Sequence, residues 1–156
     1  MRTLSYDLFT NLLKRFPCAF LLSLALIGST SAQAQISSRD AVKTLEAFFS
    51  ALSVEAYGNG DLEALVTDDF VIFEMGQRFT LPEFKAFLAS ANYADWHATD
   101  WVISNYTVTS DQSSAHIFYQ NDGVFLFADQ DNPDALRQQT NLWLESALVV
   151  KDGNTL

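Results

Sequence analysis

Hydrophobic positions along the chain change period several times, and each change marks an element. In "SSRDAVKTLEAFFSALSVEAYGNGD", Val42, Leu45, Phe48, Phe49 and Leu52 recur at i, i+3, i+4 and i+7, the spacing of one helix face. Ser37 or Ser38 can cap its start, and Gly58-Asn59-Gly60 is a stop signal. "DLEALV" predicts a short second helix capped by Asp61. In "TDDFVIFEMGQRFT", Phe70, Val71, Ile72 and Phe73 are strand formers and Gly76 marks a turn. "LPEFKAFLASA" returns to helical spacing, with Pro82 in the first turn and Phe84, Phe87 and Leu88 on one face. "NYADWHA" reads as a loop.

Three strands are predicted next. "TDWVISNYTVTS" is followed by "SDQSS"; "AHIFYQNDGVFLF" holds a bulge or bend at Asn121-Asp122-Gly123; "ADQDNPDALRQQ" is a polar connection; "TNLWLESALVVK" closes the set. The last strand alternates Asn141, Trp143, Glu145 and Ala147 with Leu142, Leu144, Ser146 and Leu148. Asp152-Gly153-Asn154 reads as a turn into a further strand of which only Thr155-Leu156 is present, and the expectation is a C-terminally truncated domain. The order α, α, β, α, β, β, β predicts an α+β fold, a curved antiparallel sheet backed by helices.

Composition adds a leader. "MRTLSYDLFTNLLKRF" is basic, "CAFLLSLALIG" is apolar and "STSAQAQ" is small and polar, the three parts of a secretory signal peptide. Ala32-Gln33-Ala34 predicts cleavage after Ala34, leaving one domain over residues 35–156. The apolar run is shorter than the roughly 20 residues of a membrane span. Cys18 stands ahead of the cleavage site, so no lipid attachment is expected, and the processed chain has no thiol and no disulfide. The pattern suits bacterial export, to the periplasm or outside the cell.

Residues 1–34 hold three of the nine basic residues and one of the nineteen acidic ones, so the remainder carries six and eighteen, a net charge of −12. Such a charge repels phosphate backbones and anionic lipid, so neither nucleic acid nor, after leader removal, membrane is an expected partner. The 13 Phe, 5 Tyr and 3 Trp exceed what a small core needs, and the surplus can line a pocket.

The phrases "AFFSAL", "GNGDLEALVTDDFVIFEMG", "LPEFKAFL" and "LWLESALVVKDGNTL" resemble the nuclear-transport-factor-2-like (SnoaL-like, cystatin-like cone) superfamily over roughly residues 38–156. The resemblance implies a sheet curled into a cone, with a pocket between sheet and helices. Enzymes, binders and scaffolds share that fold. It also implies a last strand after "KDGN".

Chemistry in such a pocket falls to Glu74, Trp101, His116, Tyr119, Trp143 and Glu145, with His97 in the loop before the strands. Glu74 resembles the proton-transfer base of the ketosteroid-isomerase branch, and a carboxylate in an apolar cleft can act as a base near neutral pH. The isomerase's helix tyrosine aligns with Phe48, which has no hydroxyl, and its protonated aspartate aligns with either Glu145 or Ser146. The plain alternative for Glu74 is a solvated carboxylate near Arg78. The cyclase and dehydratase branches imply a His–Asp pair, for which His97 with Asp100, or His116, are the candidates; a structural histidine is the plain alternative.

Asp129, Asp131 and Asp134 lack the glycine and terminal glutamate of a calcium loop, so no metal is expected, and no cofactor motif is present. Asn105-Tyr106-Thr107 matches a glycosylation sequon in mid-strand and is discounted. The sequence therefore predicts a small apolar ligand at Trp101, Tyr119, Trp143 and Glu145. Its alternatives are an isomerase-, cyclase- or dehydratase-type enzyme using Glu74 with His116 or Tyr119, and a homodimer through an apolar outer sheet face bearing Leu142, Leu144 and Leu148.

Overall fold

A computed structural model describes residues 34–129, 131–132, 134–153 and 156. The predicted leader lies outside the described residues except for Ala34, as do Asn154 of the predicted last turn and Thr155 of the predicted strand after it. The elements run α1 (Ser38–Leu52), α2 (Asp61–Ala64), β1 (Val71–Glu74), β2 (Gln77–Thr80), α3 (Leu81–Ser90), a 3-10 turn (Tyr93–Asp95), β3 (Ala98–Ser110), β4 (Ser114–Ala128) and β5 (Leu136–Val150). The fold is α+β. β1 and β2 form a hairpin, and β3, β4 and β5 form an antiparallel sheet in sequence order with β4 central.

Local chemistry explains most boundaries. The Ser37 hydroxyl accepts from the Asp40 backbone N–H at 3.1 Å and caps α1, satisfying one of the free donors of its first turn. Ala41, Leu45, Phe49 and Leu52 form its buried stripe. Leu45, Phe49 and Leu52 each contribute about 1.5–3 kcal/mol when fully buried. α1 stops at Leu52, six residues before the glycines expected to end it, and the chain crosses to Asn59 in turns. Asp61 is not the cap of α2; Gly60 holds that place, with a left-handed φ of 86°. Met75 and Gly76 both have positive φ, 49° and 76°, which suits the two-residue turn joining Glu74 to Gln77. At α3 the Glu83 carboxylate accepts from the Thr80 N–H and hydroxyl, each at 2.8 Å, closing the helix start.

The sheet departs from expectation in two places. β5 begins at Leu136, so Leu136–Gln139 pair with Ala128–Phe125 and only 129–135 remain as connection. The irregularity predicted at Asn121–Gly123 is absent, and those residues stay in register with both neighbours. It falls instead in β3 between Ser104 and Thr107, where Asn105 has φ 54°. Gly123 has a packing reason to be small: a Cβ there would lie 2.7 Å from Trp143 Cζ3 and 3.0 Å from Phe125 Cζ.

The core lies between the inner sheet face and the helices. Ala115, Ile117 and Tyr119 of β4 and Val149 of β5 pack with the α1 stripe, Leu62, Phe84, Leu88 and Tyr93. The buried Tyr93 hydroxyl donates to the Leu52 carbonyl at 2.6 Å, which pins the segment after α3 to the end of α1.

Candidate functional site

Alternation along β4 turns Ile117, Tyr119, Asn121, Gly123 and Phe125 inward, and along β5 it turns Asn141, Trp143, Glu145 and Ala147 the same way. The register sets Tyr119 opposite Glu145, Asn121 opposite Trp143, and Gly123 opposite Asn141. On the other flank Trp101 lies opposite Gly123. Tyr119, Asn121 and Glu145 are therefore neighbours on one face, with Trp143 beside Asn121 and Trp101 across Gly123.

The rings form a continuous set. Trp101 lies 6.1 Å from Trp143 and 5.2 Å from both Phe125 and Phe49, between ring centroids. Phe49 in turn lies 6.0 Å from Tyr119. These are ordinary aromatic pair distances. The polar members sit among them. Asn121 is only 1 % exposed, and its Nδ2 donates to Glu145 Oε2 at 3.2 Å. Asn121 Oδ1 and Trp101 Nε1 are buried and have no hydrogen-bond partner among the described residues. Buried polar atoms normally have one.

Electrostatics follow from this burial. The Glu145 carboxyl is pushed above the usual range, first by burial and last by the nearby charge of Glu74; its contacts with Asn121 and Tyr119 oppose the shift. The Tyr119 hydroxyl is pushed up, by burial first and then by the Glu145 charge. It therefore keeps its proton at any ordinary pH. Among the described residues the ion pairs are Lys85 with Glu63 and Arg137 with Asp129, so neither Glu74 nor Glu145 has a basic partner.

The site residues predicted from sequence separate into two groups. Trp101, Tyr119, Trp143 and Glu145 come together on the inner face, and Glu74, half-buried at the end of β1, acts on Glu145 through space. Glu145, not Ser146, is the inward residue of that pair. His116 does not join them. It lies on the outer face, opposite Leu148, with its ring 4.5 Å from that of Phe118. His97 and Asp100 are exposed at the start of β3. Phe48 packs against Phe49 and Phe70. Asn105 projects beside the sheet and donates to Gln120 Oε1 at 3.0 Å. In the acidic connection, Asp129 accepts from the Asp131 N–H at 2.8 Å, an ordinary turn contact.

Sequence reading missed Asn121. The signal was present: a strict period of two from Ile117 to Phe125 turns it inward. Asn-Asp-Gly also spells a turn, and that reading displaced the alternation.

Two depressions border the cluster. An open groove of about 460 Å³ between α1 and β3 is lined by Glu46, Phe49, Thr99, Trp101 and Ile103, among others. A second, of about 350 Å³, spreads over Phe118, Gln120, Leu144 and Ser146 and touches Tyr119 and Glu145. The cluster itself is most open along β5, where Asn141, Trp143 and Glu145 are half-buried while Tyr119 and Asn121 behind them are buried.

Comparison of the chain with protein-family models, with curated proteins and with solved structures gives no match.

Proposed function

We propose that residues 35–156 are an exported domain of the nuclear-transport-factor-2-like superfamily that holds a small, largely apolar molecule against the inner face of its sheet. The observation that carries this reading is the pair of unpartnered buried atoms, Asn121 Oδ1 and Trp101 Nε1, set among aromatic rings beside Glu145. Ligand sites combine an apolar lining with a few placed polar groups, and these residues supply both. The α+β layout and the signal-like N-terminus support the fold and the export.

The test is a thermal-shift screen of the purified chain against small hydrophobic compounds bearing carbonyl, hydroxyl or amino groups. N-terminal sequencing of the exported product accompanies it. A ligand at one hundred times its Kd stabilises the folded state by about 2.7 kcal/mol. The expected result is a clear rise in Tm with one chemical class and a mature N-terminus at Gln35. A well-folded chain that no compound shifts ends the binding reading, and an unprocessed N-terminus ends the export reading.

A second reading, self-association through the outer sheet face, has its own observation. Leu142, Leu144 and Leu148 of β5, Phe118 of β4 and Val102 of β3 are all more than half exposed. Three strands of this length present a face of roughly 700 Å². That is near the roughly 800 Å² per partner of a stable interface. Sedimentation velocity of the wild type and of Leu144→Glu decides it. A dimer that the substitution converts to monomer supports the reading, and a wild type that stays monomeric at high concentration removes it.

A further inference from the structure

The unpartnered groups around Glu145 are mostly acceptors, and this narrows the ligand. Glu145 and Glu74 are carboxyl groups with no basic partner among the described residues. Asn121 Oδ1 is a third acceptor, in a side chain that is 1 % exposed and whose amide nitrogen is already committed to Glu145. The rings of Trp101 and Trp143, 6.1 Å apart between centroids, lie together at one end of this group. Ring faces attract cations, and indole attracts them most strongly. An anion would meet two carboxyl groups here, and a purely apolar molecule would leave Asn121 Oδ1 unmatched at a cost of about 1–3 kcal/mol.

We propose that the inner-face cluster is a binding site for an organic cation, an ammonium group on an apolar or aromatic body, held by Glu145 and Asn121 Oδ1 against the Trp101–Trp143 ring pair. This rests on the ligand-binding reading above and specifies the ligand's chemistry. The ammonium donates to the carboxylate and to the amide oxygen, and its body lies along the rings. The ligand enters along β5, where Trp143 and Glu145 are half-buried. The net charge of −12 outside the leader draws cations toward the surface.

Proton linkage follows. The groups acting on Glu145 are Glu74 from the β1–β2 hairpin and Tyr119 and Asn121 from β4. Tyr119 stays protonated, so binding follows the Glu145 carboxyl. An ammonium favours the ionised carboxylate, so affinity rises with pH above the ordinary glutamate range.

The experiment is isothermal titration of the full chain at 0.15 M salt with 2-phenylethylammonium and with its neutral counterpart 2-phenylethanol, at pH 4.5, 6 and 7.5. Glu145→Gln keeps the side-chain shape, and Asp68→Asn, at an exposed position away from the cluster, controls for general surface charge. The expected result is at least tenfold tighter binding of the amine at pH 7.5, weakening toward pH 4.5. Glu145→Gln loses that preference and Asp68→Asn keeps it. Equal binding of alcohol and amine overturns the cation proposal and leaves the ligand-binding reading standing. Amine binding that Glu145→Gln does not weaken also overturns it, as surface attraction only. Binding of neither probe overturns it too, and the Tm screen then decides separately whether any ligand binds. If Glu145→Gln does not fold, Glu74→Gln, at the half-buried end of β1, serves instead: loss of that carboxylate weakens the amine by several-fold on this proposal, and unchanged affinity overturns it.

Discussion

The two faces of β5 invert the usual arrangement. Its inward positions hold Asn141, Trp143 and Glu145 before they reach Ala147 and Val149, while its outward positions hold Leu142, Leu144 and Leu148. Leu144 is 80 % exposed, yet Glu145 beside it is largely buried and its carboxyl is pushed upward by that burial. Hydropathy of the strand alone would place the leucines inside. Register with β4 decides otherwise, because Ala115, Ile117 and Tyr119 already face α1 and bring Val149, Ala147 and Glu145 with them. A one-residue slip would reverse every side chain. A strand that half-buries a carboxyl and exposes three leucines carries both proposed contacts, a ligand on its inner face and another copy on its outer one.

The sharpest way to break this contrast is to remove core from within. Ile117 is fully buried at the centre of the inner face, and Ile117→Ala should destabilise the fold by about 2–5 kcal/mol in denaturant unfolding. A loss below 1 kcal/mol would mean that the inner face is not the core. Gly123→Ala comes next. The new methyl meets the rings of Trp143 and Phe125, so a loss of about 1–3 kcal/mol and an altered tryptophan fluorescence are expected. Unchanged stability and fluorescence would mean that Trp143 does not lie over Gly123.

Glu145→Gln sharpens the comparison through pH. A carboxyl whose folded pKa is raised binds its proton more tightly in the folded state. Its contribution is present below the unfolded value, near 4.5, and is lost as pH rises through the folded value. The wild type should therefore lose stability relative to Glu145→Gln as pH climbs from about 4.5 to neutrality. The slope should not exceed about 1.4 kcal/mol per pH unit. Parallel stability curves for the two proteins would mean that Glu145 titrates normally. The smallest effect belongs outside: Leu144→Glu should change the folding stability of the monomer by no more than about 0.5 kcal/mol. Unfolding at low concentration measures it, and a loss of several kcal/mol would place Leu144 in the core.

Periodicity alone was enough for the α1 and α3 faces, the β1–β2 turn, the three long strands and the division of β5 into two sets of side chains. These are local properties. Side-chain spacing of 3.6 or 2 and turn chemistry act between residues close in the chain, so they are written in it directly. The same locality let the sequence name Trp101, Tyr119, Trp143 and Glu145 as candidates. What it did not decide was which face of each strand turns inward and which candidates meet. His116 and Tyr119 are three residues apart on one strand, and an odd spacing puts them on opposite faces. Asn121 reads as a turn former in isolation; pairing with β3 and β5 on both sides holds it extended and buries it. The end of α1 is likewise tied to a distant segment, with the Tyr93 hydroxyl reaching the Leu52 carbonyl from 41 residues away. Facing, register and burial come from contacts between distant segments, and only the tertiary structure supplies those contacts.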